Sequence, residues 1–121
     1  MGSQSYRDLI VWQKGIELCT KVYQVYARFP RSELYGLADQ MKREAVSVPS
    51  NIAEGQARQH VSEFRQFLSV ANGSAAELDT QRIIAENLGF LPPEDSADID
   101  RRITEIRKML YSLTNSLKTR N

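Results

Sequence analysis

The residue types that most often carry chemistry are scarce in this chain of 121 residues. It holds one cysteine, Cys19, and one histidine, His60. A disulfide within the chain needs two cysteines, and a zinc site of the usual kind needs four ligands drawn mostly from these two residue types. We therefore expect Cys19 to pack in the core and His60 to be a solvated residue of a polar connection.

Carboxylates and glycines form no recognisable catalytic motif either. The six glycines are scattered, and none belongs to a GxGxxG or P-loop pattern. Glu54 and Glu77 come from segments predicted to be neighbouring helices, but a di-metal bundle requires repeated Glu-x-x-His motifs, which a single histidine cannot supply. The sequence predicts no cofactor, no metal and no enzymatic activity.

Positive charge is the remaining candidate for function. The net charge is only +1, so no global attraction to nucleic acid follows. The first 31 residues nevertheless carry five basic and two acidic groups. The predicted nucleic-acid-binding residues repeat every seven positions on the first helix and recur on the fourth: Arg7, Lys14, Lys21, Arg28, Arg101, Arg102 and Lys108. A solvated face without function explains the same spacing.

Four predicted amphipathic helices must position these side chains. The first is expected from about Asp8, as its N-cap, to Phe29, with an apolar face made of Leu9, Trp12, Ile16, Cys19, Tyr23 and Tyr26. The last carries a seam that steps by four and three: Ile99, Ile103, Ile106, Leu110, Leu113 and Leu117. Pro49 inside the second helix predicts a kink, or a break into two short helices.

Short connections between these helices make sequential neighbours antiparallel. The sequence thus predicts an all-α, up-down-up-down four-helix bundle, as one domain over residues 1–121 with an ordered core at about residues 6–117. No run of about 18 apolar residues occurs and residues 1–6 lack a signal pattern, so we expect a cytoplasmic protein without a membrane partner.

A protein–protein scaffold without a nucleic-acid role is the alternative function. Tyr6, Tyr35 and Tyr111 are aromatic residues that could anchor a partner or another subunit. Apolar residues outside the expected helix faces are candidates for contact between subunits: Val11, Leu18, Val22, Val25 and Ile83.

The segment at residues 46–55, VSVPSNIAEG, is unusual for a helix. It occurs together with YRDLIVWQ at 6–13, FP at 29–30, YGL at 35–37, QM at 40–41 and AELDTQ at 76–81. In this order and spacing, the chain resembles the four-helix-bundle proteins encoded in intervening sequences of bacterial 23S rRNA genes. It is also similar to the accessory proteins of diversity-generating retroelements.

The resemblance implies a homo-oligomer, often a ring of five bundles. It also implies binding of RNA or DNA, and of a reverse transcriptase, through a basic surface, as in the retroelement relatives. Arg82 departs from the family pattern, which suggests an aliphatic residue there.

The residues of the unusual segment have a physical interpretation of their own. Polar groups beside Pro49 can hydrogen-bond to the backbone and lock the register of helices 2 and 3, with Glu54 and Gln81 meeting between them. A ligand site is the alternative. The residues assigned to this structural motif are Pro49, Ser50, Asn51, Glu54, Gly55, Glu77 and Gln81.

Overall fold

The computed structural model describes residues 5–118 and contains no strand within that range. A 3₁₀ turn, Tyr6–Asp8, leads into α1 (Ile10–Tyr26), and a second, Arg31–Glu33, leads into α2 (Leu37–Ala57). The chain continues with α3 (Val61–Asn87) and α4 (Pro93–Lys118). The predicted all-α fold with four helices is confirmed.

Each helix packs against two others, so that the contacts run from α1 to α2, α3, α4 and back to α1. Within each pair, the contacts run in opposite directions along the two helices. Ser47 of α2 is hydrogen-bonded to Ser74 of α3, whereas Gly55, further along α2, meets Phe67, which comes earlier in α3. Neighbouring helices are therefore antiparallel, with the beginning of α1 beside the end of α4.

The start of α1 differs from the prediction. Asp8 lies in the first 3₁₀ turn, and the residue before α1 is Leu9, whose side chain makes no capping hydrogen bond. Ser5 caps the 3₁₀ turn instead, because its hydroxyl accepts from the backbone N–H of Arg7 at 3.1 Å. The α-helix proper then ends at Tyr26, three residues before the predicted end at Phe29.

The buried face of α1 is also not the predicted one. Ile16 and Tyr23, assigned to the core, are 40% and 46% exposed. The core instead takes a neighbouring stripe of the same helix, made of Val11, Leu18, Val22 and Val25. Their assignment as candidates for subunit contact is therefore wrong. Trp12, Cys19 and Tyr26 lie partly buried at the edge of this core.

Gly15 and Pro49 explain why α1 turns this stripe inward. A Cβ on Gly15 would stand only 3.2 Å from the Cβ of Pro49, so the missing side chain allows α1 and α2 to approach closely. Pro49 is buried within a continuous α2, so the predicted break into two helices is wrong, and the kink stays a prediction. Ser50, the next residue, is exposed.

The seam of α4 is confirmed as the most regular part of the core. Its residues Ile99, Ile103, Ile106, Leu110 and Leu117 are all at least 97% buried, and Leu113 packs against them. None of the described helices is long and apolar enough to cross a membrane.

Candidate nucleic-acid interface

The predicted basic stripe of α1 lies along the contact between α1 and α4. The Nζ atom of Lys21 is 3.0 Å from a carboxylate oxygen of Asp95, and a guanidinium nitrogen of Arg28 is 3.0 Å from the other. Lys14 lies 3.8 Å from Glu105 in the same arrangement. Because Lys14, Lys21 and Arg28 each face a carboxylate of α4, this part of the stripe presents little uncompensated charge to an external phosphate.

Two predicted cations of α4 are paired as well. Arg101 and Arg102 both contact Asp98, and Arg102 also reaches Glu17 of α1 at 3.4 Å. Burial raises the pKa of the Asp98 carboxyl, but the Arg102 hydrogen bond and the charges of Arg102, Arg101 and Lys21 outweigh it and hold that pKa below its ordinary value. Asp98 is thus an anion that gathers cations from two helices.

Arg82 occupies the most buried position of any cation in the described chain, with 9% exposure. Its guanidinium donates to the Asp79 carboxylate from two nitrogens, at 2.8 and 3.0 Å, and to the Ser96 hydroxyl at 2.8 Å. The Ser96 hydroxyl donates in turn to Glu86, and Asp100 lies 3.6 Å from Arg82. This network links α3 to the beginning of α4 in place of an aliphatic contact.

Charge is separated along α4. Five acidic residues stand between positions 93 and 105, and none follows to the end of the chain. The antiparallel packing carries this separation to the whole bundle. One end, here the basic end, comprises residues 5–15, 50–75 and 106–118, with seven basic and three acidic residues. The acidic end comprises residues 16–49 and 76–105, with eight basic and twelve acidic residues.

A groove of about 520 Å³, the polar groove, lies on α4 at the basic end, toward α3. Arg107 donates from its Nε atom to the side-chain oxygen of Asn72 at 3.0 Å. Neither Arg107 nor Lys108 forms an ion pair with a carboxylate of residues 5–118, and Tyr111 beside them is 72% exposed. The full lining is Asn72, Thr104, Arg107, Lys108, Tyr111 and Ser112.

A second groove of about 480 Å³, the apolar groove, lies on the other side of α4, toward α1. Its lining is Leu9, Ile10, Val11, Lys108, Met109, Ser112, Leu113 and Ser116. Lys108 and Ser112 line both grooves, so they form a polar ridge between them. The basic end therefore presents a cation flanked by an exposed ring and polar groups on one side and by apolar side chains on the other.

Other basic residues at this end add to the positive field. Arg7 is exposed on the first 3₁₀ turn. His60, exposed just before α3, is not counted among these cations. The Nε atom of Arg65 is buried and has no hydrogen-bond acceptor among the described residues. Arg65 lies seven positions before Asn72 on α3, which is two helical turns along the same face.

The polar residues of the unusual segment form part of the contact between α2 and α3. Asn51 donates to the backbone carbonyl of Ser47 at 2.8 Å and to its hydroxyl at 2.9 Å, and that hydroxyl is bonded to Ser74 at 2.8 Å. One turn earlier, Glu44 faces Glu77. Burial, and then the charge and hydrogen bond of Glu77, raise the pKa of the Glu44 carboxyl.

The structure does not bring Glu54 and Gln81 together. Glu54 pairs with Arg58, one turn along α2, at 3.0 Å. Since its neighbour Gly55 faces Phe67, Gln81 lies fourteen residues further along α3, about 21 Å away at 1.5 Å per residue. The predicted meeting is wrong because the register of α2 and α3 is set by Gly55, whose missing side chain admits Phe67. The side-chain oxygen of Gln81 is buried without a hydrogen-bond partner among the described residues.

This arrangement defines an all-α four-helix bundle with one basic end. The sequence profile of one family, described as 23S rRNA-intervening sequence protein, matches residues 7–112. The chain therefore belongs to the family of 23S rRNA-intervening sequence proteins.

A solved structure shares the fold. It is the crystal structure at 1.70 Å resolution of a protein with unknown function from the S23 ribosomal protein family of Bacteroides thetaiotaomicron VPI-5482. The similarity has a TM-score of 0.82 and 22% sequence identity, and covers 88% of this chain and 96% of that one. No curated protein matches this chain.

Sequence reasoning missed two of the three side chains that dominate the polar groove. Lys108 was among the predicted nucleic-acid-binding residues, Arg107 was not, and Tyr111 was assigned to a protein partner. The signal that distinguishes this region is the lack of any acidic residue after Glu105. It indicates that the second half of α4 is basic, but the sequence alone does not show which of its cations are paired.

Proposed function

We propose that this protein binds nucleic acid through the basic end of its bundle. One observation carries the proposal: Arg107 and Lys108 line an open groove without a carboxylate partner among the described residues, whereas Lys21, Arg28 and Arg82 are all paired. Cations that neutralise phosphates release condensed counterions, which is the main source of affinity for nucleic acid. The available cations, not the net charge, define the surface that a phosphate backbone would contact.

The proposed activity is binding rather than catalysis. The two grooves are lined by cations, hydroxyl groups, an amide and apolar side chains, which position a ligand but supply no paired general acid and base.

A titration with fluorescent structured RNA at low and high salt tests the proposal. The double variant Arg107→Ala/Lys108→Ala should bind at least about tenfold more weakly at low salt, and its salt dependence should correspond to about two fewer phosphate contacts. Arg43→Ala is the matched control, because Arg43 is an exposed cation at the acidic end, paired with Asp39. Binding that is absent, independent of salt or equally sensitive to the control contradicts the proposal.

We also propose self-association through an exposed apolar stripe, since α1 carries a second apolar face that the core does not use. Ile16 and Tyr23 of this stripe lie beside α2, where Val46 is exposed. The Nζ atom of Lys42 on α2 lies over the Tyr23 ring, 5.0 Å from its centroid. The family resemblance favours a ring of five, which needs two different contact faces on each subunit. Ile83, exposed on α3, the helix diagonal to α1, belongs to the second face.

Light scattering tests this second proposal. The wild-type chain should have a mass near five times that of one subunit, and Ile16→Asp should reduce it to one subunit, because it buries a charge in the apolar contact. Gln24→Asp, on the exposed face of α1 away from the stripe, should leave the mass unchanged. A monomeric wild type rules out the ring. An oligomer that binds no RNA at any salt concentration supports the alternative of a protein–protein scaffold.

A further inference from the structure

We infer that the basic end takes a single strand of nucleic acid in preference to a duplex, with a base stacked on Tyr111 and phosphates on Arg107 and Lys108. This inference rests on the proposed nucleic-acid function and names the form of ligand that the site selects.

The exposure and position of Tyr111 carry the first step. Tyr111 is 72% exposed and lines the polar groove one helical turn after Arg107 and three residues after Lys108, so all three lie on one face of α4. An aromatic ring beside cations is the usual platform for an unpaired base, and each base stacked in this way adds affinity without regard to sequence. In a duplex the base faces are already stacked, so Tyr111 has nothing to contact there.

The two grooves beside the ridge provide the second step. A single strand is amphipathic, because its phosphates are charged while its base faces are flat and apolar. The basic end has matching parts: Lys108 stands on the ridge, the Tyr111 ring lies in the polar groove, and the apolar groove runs along Leu9 and Met109. A duplex would contact the cations through its backbone but would leave the ring and the apolar groove uncovered.

Arg107 is held in place for this contact. Its Nε atom is bonded to Asn72 at 3.0 Å, which fixes the plane of the guanidinium on the wall of the polar groove. Its two terminal nitrogens have no hydrogen-bond partner among the described residues. A guanidinium oriented in this way can form two parallel hydrogen bonds to one phosphate.

The test compares a fluorescent single-stranded oligouridine with an RNA duplex of equal length, at one low salt concentration, on the full chain. Tyr111→Ala should weaken binding of the single strand about 5- to 100-fold and change duplex binding less than about twofold. Tyr111→Phe should retain the wild-type affinity because it keeps the ring. Lys108→Ala should weaken binding of both the single strand and the duplex. Tyr35→Ala is the matched control, since Tyr35 is 94% exposed at the acidic end.

The outcomes separate this inference from the proposed function. If the wild type binds the duplex as tightly as the single strand, or Tyr111→Ala binds the single strand like the wild type, the preference for a single strand is wrong. In that case, weaker RNA binding by the Lys108→Ala variant still supports binding at the basic end. If the wild type binds neither ligand, the proposed function and this inference both fail. Circular dichroism spectra equal to the wild type show that the variants are folded.

Discussion

At the acidic end of the bundle, the guanidinium of Arg82 is buried between two helices and bonded to Asp79 and Ser96. At the basic end, Arg107 and Lys108 line an open groove and have no carboxylate partner in the described chain. The two ends hold their helices together by different means, ion pairs at one and close packing of Gly55 on Phe67 at the other. Cations that stabilise the fold are unavailable to a ligand, so the count of basic residues says little about where a ligand binds.

The direction of α4 helps to explain this difference. Its first turns carry Glu94, Asp95 and Asp98, where the partial positive charge of a helix N-terminus favours anions. Asp95 and Asp98 pair with Lys21 of α1, and Asp100, further along α4, lies 3.6 Å from Arg82 of α3. These contacts build ion pairs of the acidic end. Lys108 comes after Glu105, the last carboxylate of α4, and forms no ion pair with a carboxylate of the described residues.

The largest expected effect comes from breaking the network of the acidic end. Arg82→Ala should lower the free energy of unfolding by about 3 kcal/mol, because it leaves buried polar partners such as Ser96 without their donor. Urea denaturation measures this loss. Arg107→Ala is the comparison at the basic end and should cost less than about 0.5 kcal/mol. Equal losses for the two variants would remove the proposed contrast between the ends.

The next effect concerns the packing of the basic end. A Cβ on Gly55 would stand 2.6 Å from the Cβ of Phe67, so Gly55→Ala should destabilise the protein by about 1–3 kcal/mol. Gly73→Ala is the control within α3, because a Cβ there meets nothing within 4 Å, and it should stabilise by about 0.5–1 kcal/mol. Both are read from thermal unfolding. If Gly55→Ala melts no lower than the wild type, close approach is not what holds this end.

The smallest effect is on how the free energy of unfolding depends on pH, and it has opposite signs for Glu44 and Asp98. The pKa of Glu44 is raised in the folded state, so its contribution is most favourable below its ordinary pKa and is lost as pH rises through the raised value. Glu44→Gln should therefore stabilise the protein at pH 7 by about 0.5 kcal/mol, the scale of a like-charge pair on helices, and have little effect near pH 4.

Asp98 should show the opposite sign. Its pKa is lowered, so its contribution is present above the ordinary carboxyl pKa and is lost as pH falls through the folded value. Asp98→Asn should destabilise at pH 7 and lose that effect in acid. Denaturation curves from pH 3 to 8 for both variants measure the two signs. If both substitutions change the free energy of unfolding in the same direction at pH 7, the opposite pKa directions given to Glu44 and Asp98 are contradicted.

The bundle was predictable from the sequence because apolar spacing reports helices directly. The seam from Ile99 to Leu117 has one buried face and no competing stripe, and the structure confirms it. On α1 the same reasoning selected the wrong stripe, because Ile16 and Leu18 belong to adjacent apolar faces of similar strength. The choice between them depends on how closely Gly15 lets α2 approach, which spacing along one helix does not contain.

The candidate site was less predictable than the fold. Heptad spacing identified Lys14 and Lys21 as cations of one face, but their carboxylate partners lie on a helix far along the chain. Whether a cation is paired depends on the register between helices, so only the structure separates these two residues from Arg107 and Lys108. The contact between Glu44 and Glu77 depends on register in the same way.

The separation of charge between the ends gives this nearly neutral protein a large permanent dipole along its long axis. The field of a strongly charged polymer aligns such a dipole before the two molecules come into contact, so that one end of the bundle reaches the polymer first. Its rate of encounter should then fall with added salt, although the net charge of +1 alone would predict almost no dependence. The five acidic residues of α4, all placed before position 106, therefore favour one orientation of the approaching molecule rather than a stronger overall attraction.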